Sequence, residues 1–347
     1  MGRRITPEGS RRPVTRDDVA RYAGVSSAVV SYVVNGGPRP VSEETSARVR
    51  SAIDLLGYRP NVSARALRIG STSTLGLVLG GLENPYFTEL ALSIQAAANE
   101  AGYAVVMGNV DRNRSAASSR HILDDLIGRQ VDGFLVASEN ATADTLEHLQ
   151  RNNARSVVFD APSPIPGHST VGPDAAQGAR SAVEHLVSVH GHRDVGLVIG
   201  DDGRAGADAR ERGWQDALRS ARLLDGPLAR ADFTRAGGYE GARRLLEAAN
   251  PPSAVFASSE LQGIGVLYAL HEAGVRVPED VAVVTFDGTA ECEYSWPSLT
   301  VARQPVDSMA AAAVRQLLTP GASHHETFPM ELVVRRSCGC VPQPTTG

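Results

Sequence analysis

Residues 14–35 read VTRDDVARYAGVSSAVVSYVVN, two short helical patterns on either side of a glycine. Thr15 and Asp18 have the spacing of a capping box, and Val19, Ala20 and Ala23 follow at helical intervals, which predicts a first helix from about Arg16 to Ala23. Gly24 supplies the tight turn. Ser26 is placed to cap a second helix whose Val29, Val30 and Val33 face inward, leaving Ser27, Ala28, Ser31 and Tyr32 on the outer side. A third helix fits Ser42 to Leu56, capped by Ser42 and stopped by Gly57. This is the arrangement of a helix-turn-helix DNA reader, in which the second helix lies in the major groove and the first crosses the backbone. Two short amphipathic helices also occur in ordinary bundles, so this segment alone leaves both readings open.

The charge distribution favours the DNA reading. The 347 residues carry 34 basic and 39 acidic side chains, a net charge of −5. Residues 1–70 hold 12 arginines against 6 acids, net +6, and the rest is net −11. A basic head suits phosphate, and an acidic body does not. Every basic residue is arginine, in head and body alike, so codon usage explains it and no mechanism follows. No apolar run approaches the roughly 18 residues of a membrane span, and Met1-Gly-Arg-Arg leads into polar residues rather than a secretory start, so a cytoplasmic protein is expected.

From Leu75 onward, apolar runs recur at 75–79, 104–107, 133–137, 157–159, 195–199, 254–257 and 281–286, separated by helical stretches at 89–101, 115–129, 175–189, 209–222, 237–249 and 261–273. Non-alternating strands between helices predict doubly wound parallel sheets covered on both faces, an α/β class of fold. Such sheets bind ligands at the carboxyl ends of their strands. Glu83, Asn84, Asp160, Asp201, Asp202, Ser258 to Glu260 and Asp287 fall there.

After the third helix the chain reads GYRPNVSARALR, at residues 57–68; further on stand NPYF at 84–87, QVDGFLVA at 130–137, AVEHL at 182–186 and RVPEDVAVVTFD at 276–287. With VTRDDVARYAGVS, these motifs in this order resemble the lactose/galactose repressor (LacI/GalR) family over nearly the whole chain, from Val14 to about Arg336. The resemblance implies a disordered arm at 1–12, a helix-turn-helix domain at 13–59, a hinge helix and linker at 60–70, an effector-binding and dimerisation domain at 71–340 and a tail at 341–347. It implies two periplasmic-binding-protein-like lobes, the first about 71–161 plus 292–322 and the second about 162–291 plus 323–336. The chain would be a sequence-specific regulator of transcription, a repressor by family expectation, acting as a homodimer on double-stranded operator DNA under a small sugar-like effector. Whether that effector induces or corepresses stays open. The short tail lacks heptads, so a dimer rather than a tetramer is expected.

By the same resemblance Ser27, Ala28 and Tyr32 read base edges, while Thr15, Ser26, Ser31, Asn35 and the head's arginines hold the backbone. Tyr32 stands where Arg, the bidentate partner of guanine, is common, so operator preference should shift at that base pair. In the hinge, Asn61 and Arg68 reach the minor groove or its phosphates, Ala64 permits close approach and Leu67 wedges between base pairs. Arg210, in Arg-x-x-Gly-Trp, matches the effector-binding arginine; Phe233 matches a stacking aromatic; Glu260 falls where an Asp is usual; Asp160, Asp174 and Asp287 complete the expected set. Guanidinium and carboxylate each pair with neighbouring hydroxyls, and an aromatic face covers a sugar ring. Ser259-Glu260, Ala161, Ala175 and Gly288 depart from common family residues, which puts an ordinary sugar in doubt.

Two other classes fit less well. A solute-binding protein needs an export signal and not Val14 to Arg68. A dinucleotide enzyme is suggested by Gly200, Gly203 and Gly206, but their spacing is Gly-x-x-Gly-x-x-Gly and acids sit where pyrophosphate would lie. No enzyme, cofactor or metal is expected. Cys338 and Cys340, with His324 and His325 upstream, do not follow a recognised zinc spacing and read as an ordinary tail.

Overall fold

The structure, a computed structural model, describes residues 14–35, 39–59, 70–110, 116–137, 140–161, 163–200, 208–319 and 321–341. The expected arm, the hinge residues Asn61, Ala64, Leu67 and Arg68, and Asp201, Asp202, Gly203 and Gly206 lie outside the described residues. Two compact units divide near Thr72.

The first unit holds α1 (Arg16–Ala23), α2 (Ser27–Asn35) and α3 (Glu43–Leu56). Thr15 and Asp18 form the full capping box, the Thr15 amide reaching Asp18 Oδ2 at 2.9 Å and the Asp18 amide reaching Thr15 Oγ1 at 3.3 Å. Gly24 and Gly57 end α1 and α3 in the left-handed conformation, both at φ 65°, as a C-cap glycine allows. Ser42 caps α3 and Ser26 caps α2 through the Val29 amide. Val19, Ala20, Ala23, Val30, Val49 and Ala52 form the core, with Val33 and Val34 packed against it. Two expectations for α2 need correction. Val29 is only half-buried and Ser31, expected outside, is 9% exposed. The apolar stripe is centred on Val30 and Val34, one helical turn apart, so its edge turns Ser31 in and Val29 out.

In the second unit β1 (Thr74–Leu79), α4 (Pro85–Glu100), β2 (Ala104–Asn109), α5 (Ala116–Gly128), β3 (Gly133–Ala137), α6 (Ala143–Arg151), β4 (Ser156–Phe159) and β5 (Ser169–Pro173) come first. There follow α7 (Ala175–Ser188), β6 (Val195–Ile199), α8 (Ala209–Ser220), β7 (Leu228–Arg230), α9 (Arg235–Leu246), β8 (Ala254–Ala257), α10 (Glu260–Glu272), β9 (Ala282–Asp287), α11 (Ala290–Tyr294) and β10 (Thr300–Arg303). The chain finishes with α12 (Val306–Leu318), β11 (His325–Phe328) and β12 (Glu331–Val333). One six-stranded sheet has the order β11-β5-β4-β3-β1-β2 and the other β12-β10-β9-β8-β6-β7, every neighbouring pair parallel except β10 with β12.

All residues of β3, β4, β6, β8 and β9 are buried, as the non-alternating runs predict for doubly covered strands. Leu77, Leu135 and Phe159 of the first sheet pack on Leu90 and Ile94 of α4 and Met309 and Ala313 of α12. Its other face meets Leu123, Leu126 and Leu149. The second sheet buries Leu197, Phe256 and Val284 against Val183, Leu186, Trp214 and Leu218, and Val198, Val255 and Val283 against Leu245, Val266 and Leu270.

Sheet membership corrects the expected lobe boundaries. The chain leaves the first sheet after Pro173, not near Ala161, because β5 pairs with β4. It returns after Arg303, not near Glu291, because β10 pairs with β9 and α12 packs on the first sheet. It crosses last between Phe328 and Glu331, since β11 joins β5 and β12 joins β10. The crossings are tied together. The Asp174 amide donates to the Phe328 carbonyl at 2.7 Å, and the Gln177 amide side chain accepts from Met330 N at 2.8 Å and donates to Met330 O at 3.3 Å.

Val30→Ala, which hollows the small head core, is expected to destabilise the first unit by about 2 kcal/mol. Hydrogen exchange should accelerate for amides of residues 14–59 and stay unchanged in the strands of the second unit.

Candidate DNA-reading helix and ligand site

On α2, Ala28, Tyr32 and Asn35 recur at i, i+4 and i+7, and so share one face. Ala28 and Asn35 are exposed and Tyr32 is half-buried. Ser27 is half-buried and its hydroxyl donates to Asp17 of α1, which fixes that side chain across the turn. Asn35 turns its amide back, donating to the Ser31 carbonyl at 3.1 Å and hydroxyl at 3.3 Å. Buried and engaged in that way, Ser31 is not presented to a phosphate. Thr15 likewise directs its hydroxyl to Asp18 at 2.6 Å as part of the cap.

In the second unit the expected residues gather at strand ends around Arg210. Asp208 caps α8 and grips the Arg210 side chain, Oδ1 accepting from Nε at 3.0 Å and Oδ2 from Nη2 at 2.7 Å. Nη1 donates to the Ser258 carbonyl at 2.8 Å, at the end of β8. The guanidinium carbon lies 4.7 Å from the Phe233 ring centre and 5.5 Å from that of Phe286, a cation–π sandwich of fixed orientation. Of the five N–H donors of an arginine, two have no partner among the described residues. Burial alone would raise the Asp208 carboxyl, but the charge and hydrogen bonds of Arg210 outweigh it and hold it below its ordinary value.

Phe233 is placed by backbone and by a buried glutamine. Gln262 donates to the carbonyls of Ala231 at 3.2 Å and Asp232 at 3.1 Å, and accepts from the Ser258 hydroxyl at 2.8 Å. The ring then lies against Gly200, where a Cβ would come within 1.8 Å of it. Gly200 is thus required by close approach of an aromatic ring, not by a phosphate loop.

Asp160 ends β4 at φ 57° and accepts from the Tyr86 hydroxyl at 2.8 and 3.1 Å. The NPYF motif explains the donor: Asn84 caps α4, Pro85 occupies its first turn and Tyr86 projects its hydroxyl to the end of β4, two strands from β1 in the sheet. Asp287 ends β9 at φ 81° and accepts from the Glu260 amide at 3.1 Å and the Gln304 side chain at 2.8 Å. Burial pushes its carboxyl up, and Arg210 pulls it back in part. The charges of Asp287 and, more weakly, Asp160 act on Arg210, so carboxylates at strand ends of both sheets lie within electrostatic reach of it.

Two expected ligand contacts are otherwise employed. Glu260 is 0% exposed, and its carboxylate accepts from the Thr289 amide at 2.7 Å, the Thr289 hydroxyl at 2.6 Å and the Cys292 thiol at 3.1 Å. Its extra methylene carries the carboxylate past the strand end to brace α11. Asp174 caps α7 through the Gln177 amide at 3.0 Å. Reading the sequence missed Asp208, Tyr86, Phe286 and Gln304. An Asp before a helix with Arg two places on was available as a signal for Asp208. Gln304 had none, because it sits on a crossing set by remote strand pairing; its Oε1 is buried without a hydrogen-bond partner.

Burial pushes the Glu260 carboxyl above its ordinary 4.5, against the hydrogen bonds of Thr289. A raised carboxyl binds its proton more tightly folded than unfolded, so stability falls as pH rises from about the ordinary value to the raised one. Wild type is expected to lose stability relative to Glu260→Gln over that window, with a slope of at most about 1.4 kcal/mol per pH unit. Urea unfolding of both proteins across the window checks this.

Comparison with known proteins matches residues 15–61 to bacterial regulatory proteins of the lacI family and residues 183–338 to a periplasmic binding protein-like domain. Catabolite control protein A of Priestia megaterium is 33% identical over 310 residues, covering 88% of this chain and 91% of that protein. The structure of the lac repressor dimer bound to operator and the anti-inducer ONPF is similar with a TM-score of 0.80 and 26% identity, over 94% of this chain and 99% of that one. That of the transcriptional regulator CelR in complex with cellobiose has a TM-score of 0.70 and 31% identity, over 94% and 100%. With a DNA-reading helix pair, paired parallel sheets and relatives of this identity along most of its length, the chain belongs to the LacI family of bacterial regulatory proteins.

Proposed function

We propose that the protein is a dimeric transcriptional repressor whose hold on operator DNA is set by a neutral, polyhydroxylated ligand bound at Arg210. The observation that carries this reading is the Arg210 guanidinium, clamped by Asp208 and Ser258 and stacked on Phe233 at the strand ends of the second sheet, within reach of the Asp160 charge of the first. The two N–H groups with no partner among the described residues suit a pair of neighbouring hydroxyls. Charge selects the class. Among the described residues Asp208, Asp287 and Asp160 all act on Arg210, with Arg212 acting on Asp208 as well, so three carboxylates face two guanidinium groups; an incoming phosphate or carboxylate meets net negative charge, whereas a sugar's hydroxyls can donate to these oxygens. The unpartnered Oε1 of Gln304 accepts a further hydroxyl. The cellobiose bound by CelR belongs to this chemical class.

On the DNA side, Ala28 and Tyr32 present the outer face of α2 to base edges, with Ser27 beside them. Leu67 serves as the minor-groove wedge that the family resemblance implies, flanked by Asn61, Ala64 and Arg68. The protein acts by binding, not catalysis, in the cytoplasm where the chromosome lies. To swing operator occupancy from nearly full to nearly empty, the ligand must prefer one conformation by about 5 kcal/mol.

The decisive experiment selects operator fragments from the host genome and titrates the complex with neutral sugars and their phosphorylated counterparts. A neutral sugar is expected to change operator affinity, and a response confined to phosphorylated sugars would overturn the ligand class. Arg210→Ala should abolish the response while leaving operator affinity within about twofold. Gly200→Ala, which displaces Phe233, should weaken the ligand at least tenfold, read by calorimetry. Tyr32→Arg should move base preference toward guanine at a single position by about 1–3 kcal/mol, read by repeating the selection.

A further inference from the structure

The two cysteines near the carboxyl end do not meet His324 or His325. Those lie at β11 in the first sheet, where His325 Nδ1 contacts Thr170 at 2.6 Å. Cys338 and Cys340 instead face His185, in the last turn of α7, and His190 just beyond it. The four ligating atoms all lie within 4.8 Å of one another. His185 Nε2 and His190 Nε2 are 3.3 Å apart. Cys340 Sγ lies 3.6 Å from the first and 3.3 Å from the second, and Cys338 Sγ lies 3.4 Å from His185 Nε2.

Four of the six separations are close to the edges of a coordination tetrahedron, and the other two are no longer than 4.8 Å. Zinc bonds of about 2.3 Å to sulfur and about 2.0 to 2.1 Å to nitrogen require edges of about 3.3 Å between nitrogens and about 3.6 Å between nitrogen and sulfur. We propose that His185, His190, Cys338 and Cys340 form a structural Cys2His2 zinc site that fastens the carboxyl end of the chain to α7. Two thiolates neutralise the dication and two imidazoles complete four-coordination, the ligand set and geometry that favour zinc over harder divalent ions.

The surrounding residues hold the ligands in place. Thr300 Oγ1 accepts from the Arg335 amide at 2.9 Å, which turns its proton to Cys338 Sγ at 3.1 Å, a hydrogen bond suited to a metal-bound thiolate. Ser337 is stitched to the second sheet, its hydroxyl donating to the Val283 carbonyl at 2.7 Å and accepting from the Thr300 amide at 2.8 Å. Gly339 adopts φ 101°, and a Cβ there would approach the His190 ring to 3.3 Å, so glycine both permits the turn and leaves the imidazole room. Without metal, the acceptors that the described residues offer the Cys338 thiol are long, the Arg335 carbonyl at 3.5 Å and, in one tautomer, His185 Nε2 at 3.4 Å. Zinc would close a loop from His185 to Cys340 and stabilise the folded second lobe by linkage. Sequence spacing hid the site because its halves are more than a hundred residues apart.

The test uses the full-length protein without a polyhistidine tag, purified with reductant and dialysed against zinc. Elemental analysis is expected to give a single zinc per chain, and cobalt in its place should give the intense visible absorption of a tetrahedral thiolate site. Cys340→Ser and His190→Asn should each lose the metal and the cobalt spectrum while keeping the wild-type circular dichroism. A chelator should lower Tm of wild type and leave both variants unchanged. Substoichiometric zinc under reducing conditions, an octahedral cobalt spectrum, or variants that bind as wild type would each overturn the site; so would a Cys338–Cys340 disulfide that persists in reductant.

Discussion

The carboxylate of Asp287 is the interaction on which the arrangement around Arg210, the proposed ligand site, rests. A buried charge of this kind is tolerated only when hydrogen-bonded and faced by an opposite charge. Here the amide at the start of α10 and the Gln304 side chain hold its oxygens, and Arg210 supplies the charge. The Asp287 carbonyl also accepts from the Gln304 amide at 2.9 Å. One residue therefore joins the ends of β8 and β9 to the crossing that leads back to the first sheet. A change in what Arg210 touches is felt by Asp287, and through Gln304 by a segment connecting the two sheets, which gives ligand binding a short mechanical path between lobes.

That path is reinforced by the other crossings. Gln177 imitates a strand neighbour to Met330, and Asp174 starts α7 while its amide holds Phe328. Three segments connect the sheets, two of them bonded to each other, and this restricts relative motion of the sheets to bending about them. Discrete motion between two packed arrangements is what a ligand-controlled equilibrium needs, because cores packed to this density do not deform continuously.

How much of this was legible in the sequence follows from where each signal lies. The head was legible because its determinants are local: a capping box, a left-handed glycine and a helical stripe act within a few residues. Strands β3, β6 and β8 were legible to the residue, since central strands covered on both faces are continuous apolar runs. β5, β7 and β10 to β12 escaped because they are short and draw on polar residues, glycine or proline, and α12 was not read although Met309, Val314 and Leu317 give it a buried apolar face. Missing β5 and β10 in turn displaced the expected lobe boundaries. Motifs marked Arg210, Phe233 and Asp160, which lie at neighbouring strand ends, but a motif records residue type and not the reach of one more methylene, which turns Glu260 to Thr289.

The split of charge along the chain gains meaning beside this geometry. The acidic body gathers carboxylates about Arg210, the proposed ligand contact, while the net +6 of residues 1–70 suits phosphate. Separate signs let each part be selective: an anion that competed for the arginine is discouraged at one place and required at the other. The electrostatic part of DNA affinity is then set by the head and weakens with salt, whereas the ligand site, built of buried and hydrogen-bonded groups, is screened far less. Salt therefore changes how tightly the protein holds DNA without changing, to first order, which ligand releases or secures it.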